Sequence, residues 1–225
     1  MNIDNICHHS FLGSYITQNS IVIDGGVNYG DFSRQINQKY KNTIHGFEPD
    51  PRLYPKLPKI ENCTFYQLAI SDKNEILKLN LGEKQCSSLL YKDENSNNSC
   101  EVNAIELSSF CEKHNIGAID LLKLDIEGAE LQVLKSLEPY FLSNNVAQIT
   151  VEFHEFLDKN AIHDIKEIIA RLKKNGFYFF QFSRTYGDVL FVNKKFIKLS
   201  SLQILKIYYN KYQKGISRII KGIIK

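Results

Sequence analysis

Acidic side chains at the ends of apolar runs are the residues of this chain whose types and spacing suit chemistry. Asp24 lies in IVIDGGVNYG (Ile21 to Gly30), Glu48 follows Thr43 to Phe47, and Ser71-Asp72 follows Ala69-Ile70. Asp125 and Glu127 follow Ile119 to Leu124, and Glu152 and His154 end the run that starts at Ala147. A carboxylate can accept both hydroxyl hydrogen bonds of a ribose, and a positioned carboxylate or imidazole can take a hydroxyl proton, worth about 100 to 10,000-fold in rate. The turn after Asp24 carries Gly25, Gly26, Asn28 and Gly30. Gly26 and Gly30 allow a close approach to a cofactor and to the following helix. The dinucleotide pattern Gly-x-Gly-x-x-Gly is absent, because position 28 is asparagine.

Within this acidic crescent, Glu48 stands 18 residues after Gly30, a distance that lets a second strand finish beside the first with its carboxylate on a ribose. Asp72, or a backbone amide beside it at Ser71, is placed to meet an adenine edge. Asp125, Glu127, Glu152 and His154 are the candidate catalytic groups, with His154 and Asp125 first as general base because imidazole titrates near neutrality. The remaining histidines, His8 and His9 among them, have weaker claims. The same four groups would accept magnesium or manganese, but strand-end carboxylates also orient a sugar or a sulfonium without an ion, so no metal ligands are assigned. Cys7-His8-His9 lacks a fourth ligand at a sensible spacing and is not expected to bind metal.

Alternating strands and helices must carry these residues. Asp31 to Lys39, Leu107 to His114, the stretch from Leu131 to Leu137, and Ile162 to Lys174 have helical character. Ile21 to Asp24, Thr43 to Phe47, Cys63 to Ile70, Glu75 to Leu81, Ile119 to Leu124 and Ala147 to Phe153 read as strands. Lys92 to Ser99 is a polar loop, and Ser87 and Ser88 lie in a loop able to close over cofactor or substrate. Phe177 to Phe182 and Val189 to Val192 are close enough for a hairpin, which gives an antiparallel edge. The pattern is a doubly wound α/β sheet, whose ligands sit at the carboxyl ends of its strands.

The segment LLKLDIEGAELQVL from Leu121 resembles the signature of the FkbM family of methyltransferases. VIDGGVNYGDFS from Val22, GFEPDP from Gly46, LAISDK from Leu68, SSL from Ser87 and VEFH from Val151 resemble further family segments in the expected order. The resemblance covers Ile21 to Val192. It implies a class I, Rossmann-like fold and S-adenosylmethionine as cofactor, with Asp24, Gly25, Gly26, Asn28 and Gly30 around the methionine part. It also implies Glu48 on the ribose, Ser71-Asp72 near the adenine and Asp125 beside the sulfonium. The implied reaction is O-methylation of a sugar, glycan or lipid-linked saccharide precursor. A cofactor-fold binding module without catalysis and a nucleotide-dependent oxidoreductase are the alternatives.

At 225 residues the chain suits one domain with an appendage, assigned as 1–195 (core 20–193) and 196–225. Five scattered cysteines without a Cys-x-x-Cys pair fit a reducing cytoplasm. The start is not that of a secretory signal, and no run reaches the roughly 20 apolar residues of a spanning helix. Nine of the 28 basic residues and none of the 25 acidic ones fall from Asn193 onward, which leaves the body net acidic. From Leu202, helical spacing puts Leu202, Leu205, Tyr208, Tyr209, Tyr212 and the isoleucines from Ile216 on one face, with lysines opposite. Such a helix suits an anionic membrane on the inner face of the cell, or packs on the domain or on a second subunit of a homo-oligomer. The acidic body argues against nucleic acid.

Overall fold

The computed structural model describes residues 1–82, 87–88, 98–154, 161–209 and 211. It begins with an antiparallel hairpin, β1 (Ile3–Ile6) and β2 (His9–Leu12). Next come β3 (Ile21–Gly25), α1 (Asp31–Tyr40), β4 (Thr43–Phe47) and β5 (Cys63–Tyr66). A middle section follows with β6 (Ala69–Ser71), β7 (Glu75–Leu81), β8 (Ser87–Ser88), β9 (Ser99–Glu106) and α2 (Leu107–Lys113). The chain then runs through β10 (Leu121–Leu124), α3 (Glu130–Ser136), α4 (Pro139–Asn145) and β11 (Gln148–Val151). It continues with α5 (Ala161–Lys174), β12 (Phe177–Gln181) and β13 (Val189–Asn193).

Seven strands form the main sheet in the order β12-β13-β11-β10-β3-β4-β5. β11, β10, β3, β4 and β5 run parallel, while β13 is antiparallel to both β11 and β12. The expected antiparallel strand is thus β13, one place in from the rim, and β12 at the rim runs with the parallel strands. Chain order reverses between β3 and β10, which opens the crevice where an α/β sheet takes its ligand. The unbroken apolar runs suit strands covered on both faces. Ile23, Leu122 and Leu124 pack with Val133, Leu134 and Ile165 on one face, whereas Val22, Leu121 and Val192 pack with Phe32 and Ile36 of α1 on the other.

Phe11 and Leu12 of the hairpin and Ile197, Leu199 and Ile207 near the C terminus complete that second face. Two polar side chains anchor β2 of the hairpin. Asp188 accepts from the Ser10 backbone N–H (3.0 Å) and hydroxyl (2.8 Å), and Gln148 Oε1 accepts from the Leu12 N–H (2.8 Å).

The stretch Cys63 to Ile70 is two strands rather than one: β5 closes the main sheet, and β6 pairs with β9 in a separate four-stranded sheet of order β6-β9-β7-β8. Ser87 and Ser88 pair with Leu81 and Asn80 there, as a strand and not an open loop. Of the expected polar loop, 92–97 lies outside the described residues, and Ser99 opens β9.

Residues 201–209 are helical. This helix turns Ile207 into the core and leaves Leu202, Leu205, Tyr208 and Tyr209 exposed, so the apolar face expected from periodicity points outward. Residues 212–225, which carry the rest of that face, lie outside the described residues. Among the described residues, no helix is long and apolar enough to cross a membrane.

Candidate functional site

A cleft opens at the carboxyl ends of β3, β4 and β10. Gly26, Asn28, Glu48, Asp125 and Glu127 line it with Phe47, Ile70 and Leu79. Close packing explains the glycine turn. Gly26 has a φ of +81°, and a Cβ there would lie 1.8 Å from the Asp125 carbonyl oxygen, so no side chain fits. Gly30 (φ +81°) is the N-cap of α1, where a Cβ would meet Pro58 at 3.0 Å. Asn28 adopts φ 54°, a left-handed conformation that asparagine tolerates.

Glu48 stands where the sequence places it. Its Oε2 accepts from the Asn28 N–H at 2.7 Å and its Oε1 from the Asp50 N–H at 2.9 Å. Two backbone donors fix the carboxylate and leave acceptor lone pairs over. Burial pushes its pKa up to about 7, against the opposing pull of those two N–H groups.

Several expected cofactor contacts lie behind or beside the cleft wall rather than on it. Asp24 is fully buried beneath the turn, where it accepts from Ser33 Oγ at 2.6 Å and faces Lys123 Nζ at 3.1 Å. Gly25 and Gly30 do not line the cleft either, since one closes the strand against β10 and the other packs on Pro58. Ser71 and Asp72 stand just past the lining residues Leu68, Ala69 and Ile70, and Gln132 Nε2 (2.7 Å) and Ser71 Oγ (3.1 Å) donate to Asp72 Oδ1.

Lys123 is a residue the motif reading passed over. It is 2% exposed, and its ammonium donates to the carbonyls of Gly25 (3.2 Å) and Gly26 (2.6 Å) while facing Asp24 and, at 3.6 Å, Asp125 Oδ2. Burial alone would favour loss of its proton, but Asp24 and then Asp125 outweigh burial and hold the pKa above its ordinary value. The signal was legible: Lys123 is the one charge inside the apolar run LLKL.

Asp125 joins the cofactor cleft to the candidate catalytic cluster. Its Oδ2 meets His9 Nε2 at 3.4 Å and its Oδ1 meets His154 Nε2 at 3.7 Å. Burial opposes its charge, yet Lys123, then His9 and His154, hold the carboxyl well below the usual range. His154 is clamped from below: Glu130, 1% exposed, pairs with its Nδ1 at 2.9 Å and accepts from the N–H groups of Ile126 and Gly128. Glu127 Oε2 lies 3.3 Å from His154 Nε2. Burial would lower the pKa of His154, but Glu130 above all, with Glu127 and Asp125, raises it to about 9. Glu127 and Glu152 are pushed up, chiefly by burial and further by neighbouring carboxylates.

The fold therefore brings together all four expected catalytic residues and adds Glu130 and His9. His9, set aside on sequence grounds, is 1% exposed and is carried into the cluster by the N-terminal hairpin.

A family model described as the methyltransferase FkbM domain matches residues 24–179. A curated relative, Methyltransferase 1 of Beauveria bassiana (strain ARSEF 2860), is 27% identical over 146 residues, 53% of this chain and 59% of that protein. The chain thus spans about three fifths of that relative's length. Among solved structures, human methyltransferase-like protein 13 in complex with SAH has a TM-score of 0.49 at 11% identity, covering 87% of this chain and 81% of that one. Aeropyrum pernix fibrillarin with natively bound S-adenosyl-L-methionine has a TM-score of 0.44 at 11% identity, covering 79% and 66%. With the family model spanning the turn at Asp24, the cleft and the cluster around Asp125, the chain belongs to the FkbM family of S-adenosylmethionine-dependent methyltransferases.

Proposed function

We propose that this protein O-methylates a hydroxyl of a sugar, glycan or lipid-linked saccharide precursor. One observation carries the reading: Asp125 and Glu127 belong both to the cofactor cleft and to the carboxylate–imidazole cluster beside it, so donor and acceptor sides meet at these two residues.

The residues fit S-adenosylmethionine. A side chain at position 26 would fill the space beside the Asp125 carbonyl, and the fixed Glu48 carboxylate has lone pairs left for two ribose hydroxyls. When bound, the cofactor supplies an activated methyl group on a sulfonium, which leaves the protein to align the acceptor and exclude water. Asp125, held ionised by Lys123, is a weak base and suits a place against positive charge. His154 already carries a proton on the nitrogen facing Glu127 and steadies that carboxylate. Glu127, whose pKa is raised, is the better acceptor for the hydroxyl proton.

The test uses labelled S-adenosylmethionine with a panel of lipid-linked and nucleotide sugars, the methyl group being located by mass spectrometry. Glu127→Gln should lower kcat by about 100-fold or more, with a much smaller change in cofactor affinity by calorimetry. Full turnover in that variant removes Glu127 from the role, and methyl transfer to no hydroxylated acceptor removes the reaction.

A further inference from the structure

We infer that the cluster beside the cofactor cleft is a binding site for one divalent transition-metal ion, held by His9, Asp125 and Glu152 with His154 as a fourth ligand. Donor atoms of His9, Asp125 and Glu152 all lie within 4.8 Å of one another, and His154 Nε2 faces Asp125 Oδ1 at 3.7 Å.

The spacing is the first argument. Hydrogen bonds around this site are short, 2.6 Å from Ser33 to Asp24 and 2.9 Å between His154 and Glu130. The His9–Asp125 and His154–Asp125 separations, 3.4 and 3.7 Å, are longer than good hydrogen bonds. Ligand atoms about 2.0–2.2 Å from a shared ion stand about 3.0 Å apart along an octahedron's edge and about 3.4 Å along a tetrahedron's. The two separations to Asp125 are thus close to a coordination edge, whereas His154 stands outside the mutual group of His9, Asp125 and Glu152 and must turn toward the ion to complete the shell.

The second argument lies outside the ligand set. Glu130, buried and fixed by the Ile126 and Gly128 amides, engages His154 Nδ1, which aims Nε2 between Glu127 (3.3 Å) and Asp125 (3.7 Å). A carboxylate on the far nitrogen of an imidazole is the usual way proteins orient a metal-binding histidine. On binding, the ion takes the place of the Nε2 proton of His154, which passes to solvent. The third argument is delivery: the hairpin that brings His9 is pinned to the main sheet by Asp188 and Gln148, so His9 enters on a rigid element. Two imidazoles with two carboxylates favour manganese, iron or zinc over magnesium or calcium.

The experiment titrates the full chain, dialysed against chelator, with Mn2+ alone and Mg2+ alone, by calorimetry and by loss of the free Mn2+ electron paramagnetic resonance signal. One Mn2+ per chain is expected, bound at least about tenfold tighter than Mg2+. Glu130→Gln should weaken Mn2+ by about 10–100-fold, and His9→Gln and Glu152→Gln by at least as much. Should His9→Gln fail to fold by circular dichroism, Glu152→Gln, on a partly exposed residue, decides. Absence of Mn2+ binding, or affinity unchanged in the folded ligand variants, overturns the site. S-adenosylmethionine is titrated separately into the same samples, so loss of the metal site is read apart from failure of the methyltransferase reading.

Discussion

Replacing Lys123 by methionine tests whether one buried ammonium holds the cofactor turn together. The substitution keeps most of the side-chain volume and removes a charge that faces Asp24 at 3.1 Å and donates to the Gly26 carbonyl at 2.6 Å. Asp24, with no solvent exposure, keeps Ser33 as its remaining side-chain donor. Breaking a buried ion pair from one side costs about 3–5 kcal/mol, because the surviving charge stays out of water. For a chain of this size each kcal/mol lowers Tm by about 2–4 °C, so calorimetric melting should show a drop of about 6–20 °C. Adding Asp24→Asn removes the stranded charge and should recover most of that loss. Cofactor affinity should not recover, since the Gly25 and Gly26 carbonyls still lack their donor. A loss under about 1 kcal/mol, or a double variant costing the sum of the two singles, refutes the reasoning.

Glu48 should make cofactor binding depend on pH. Only its carboxylate form accepts two ribose hydroxyls, and with its pKa near 7 the ionised fraction falls as pH drops, so affinity should be about tenfold weaker at pH 6 than at pH 8. The contribution is read as the difference from Glu48→Gln by calorimetry, and equal slopes in both proteins exclude it. The same raised pKa has the opposite sign for stability: in the ligand-free protein the fold binds this proton more tightly than the unfolded chain, so Glu48 stabilises less as pH rises from about 4.5 through 7. At the C terminus, Leu202 and Leu205 are 75% and 65% exposed, so Leu202→Glu with Leu205→Glu leaves the core intact. The full chain should float with anionic vesicles at low salt and this variant should not. Equal recovery of both in the soluble fraction refutes a membrane-binding tail.

Local pattern reveals an element where the fold reinforces it and hides it where the partner is remote. β4 and β7 run over the residues their composition predicts, Thr43–Phe47 and Glu75–Leu81, because β-rich runs meet a sheet that covers them. The run from Cys63 reads as one strand because apolar character continues through Leu68, yet the chain leaves the large sheet after Tyr66 and enters the small one at Ala69. Nothing in Ile3 to Leu12 announces a hairpin: its anchor, Asp188, lies 178 residues from Ser10 in sequence, so His9 becomes part of the site only through tertiary contact. In the C-terminal helix, spacing alone selects the outward face, whereas the domain takes Ile207, a choice set by the shape of the sheet's second face.

The charges of the site follow one arrangement. Asp24 supports Lys123, and Lys123 keeps Asp125 ionised while holding the Gly25 and Gly26 carbonyls. Glu130 supports His154, which in turn steadies Glu127. Asp125 and Glu127 thus each have a buried opposite charge behind them, while Glu48 is held by two backbone N–H groups. In a poorly solvated site such pairing sets the direction of every electrostatic interaction before a ligand arrives, so little reorganisation is needed at the moment of reaction. It also accounts for which residues the motifs miss: Asp125 and Glu127 follow a strand end, where pattern draws attention, while Lys123 sits inside a strand and Glu130 opens a helix, and both pass for structure.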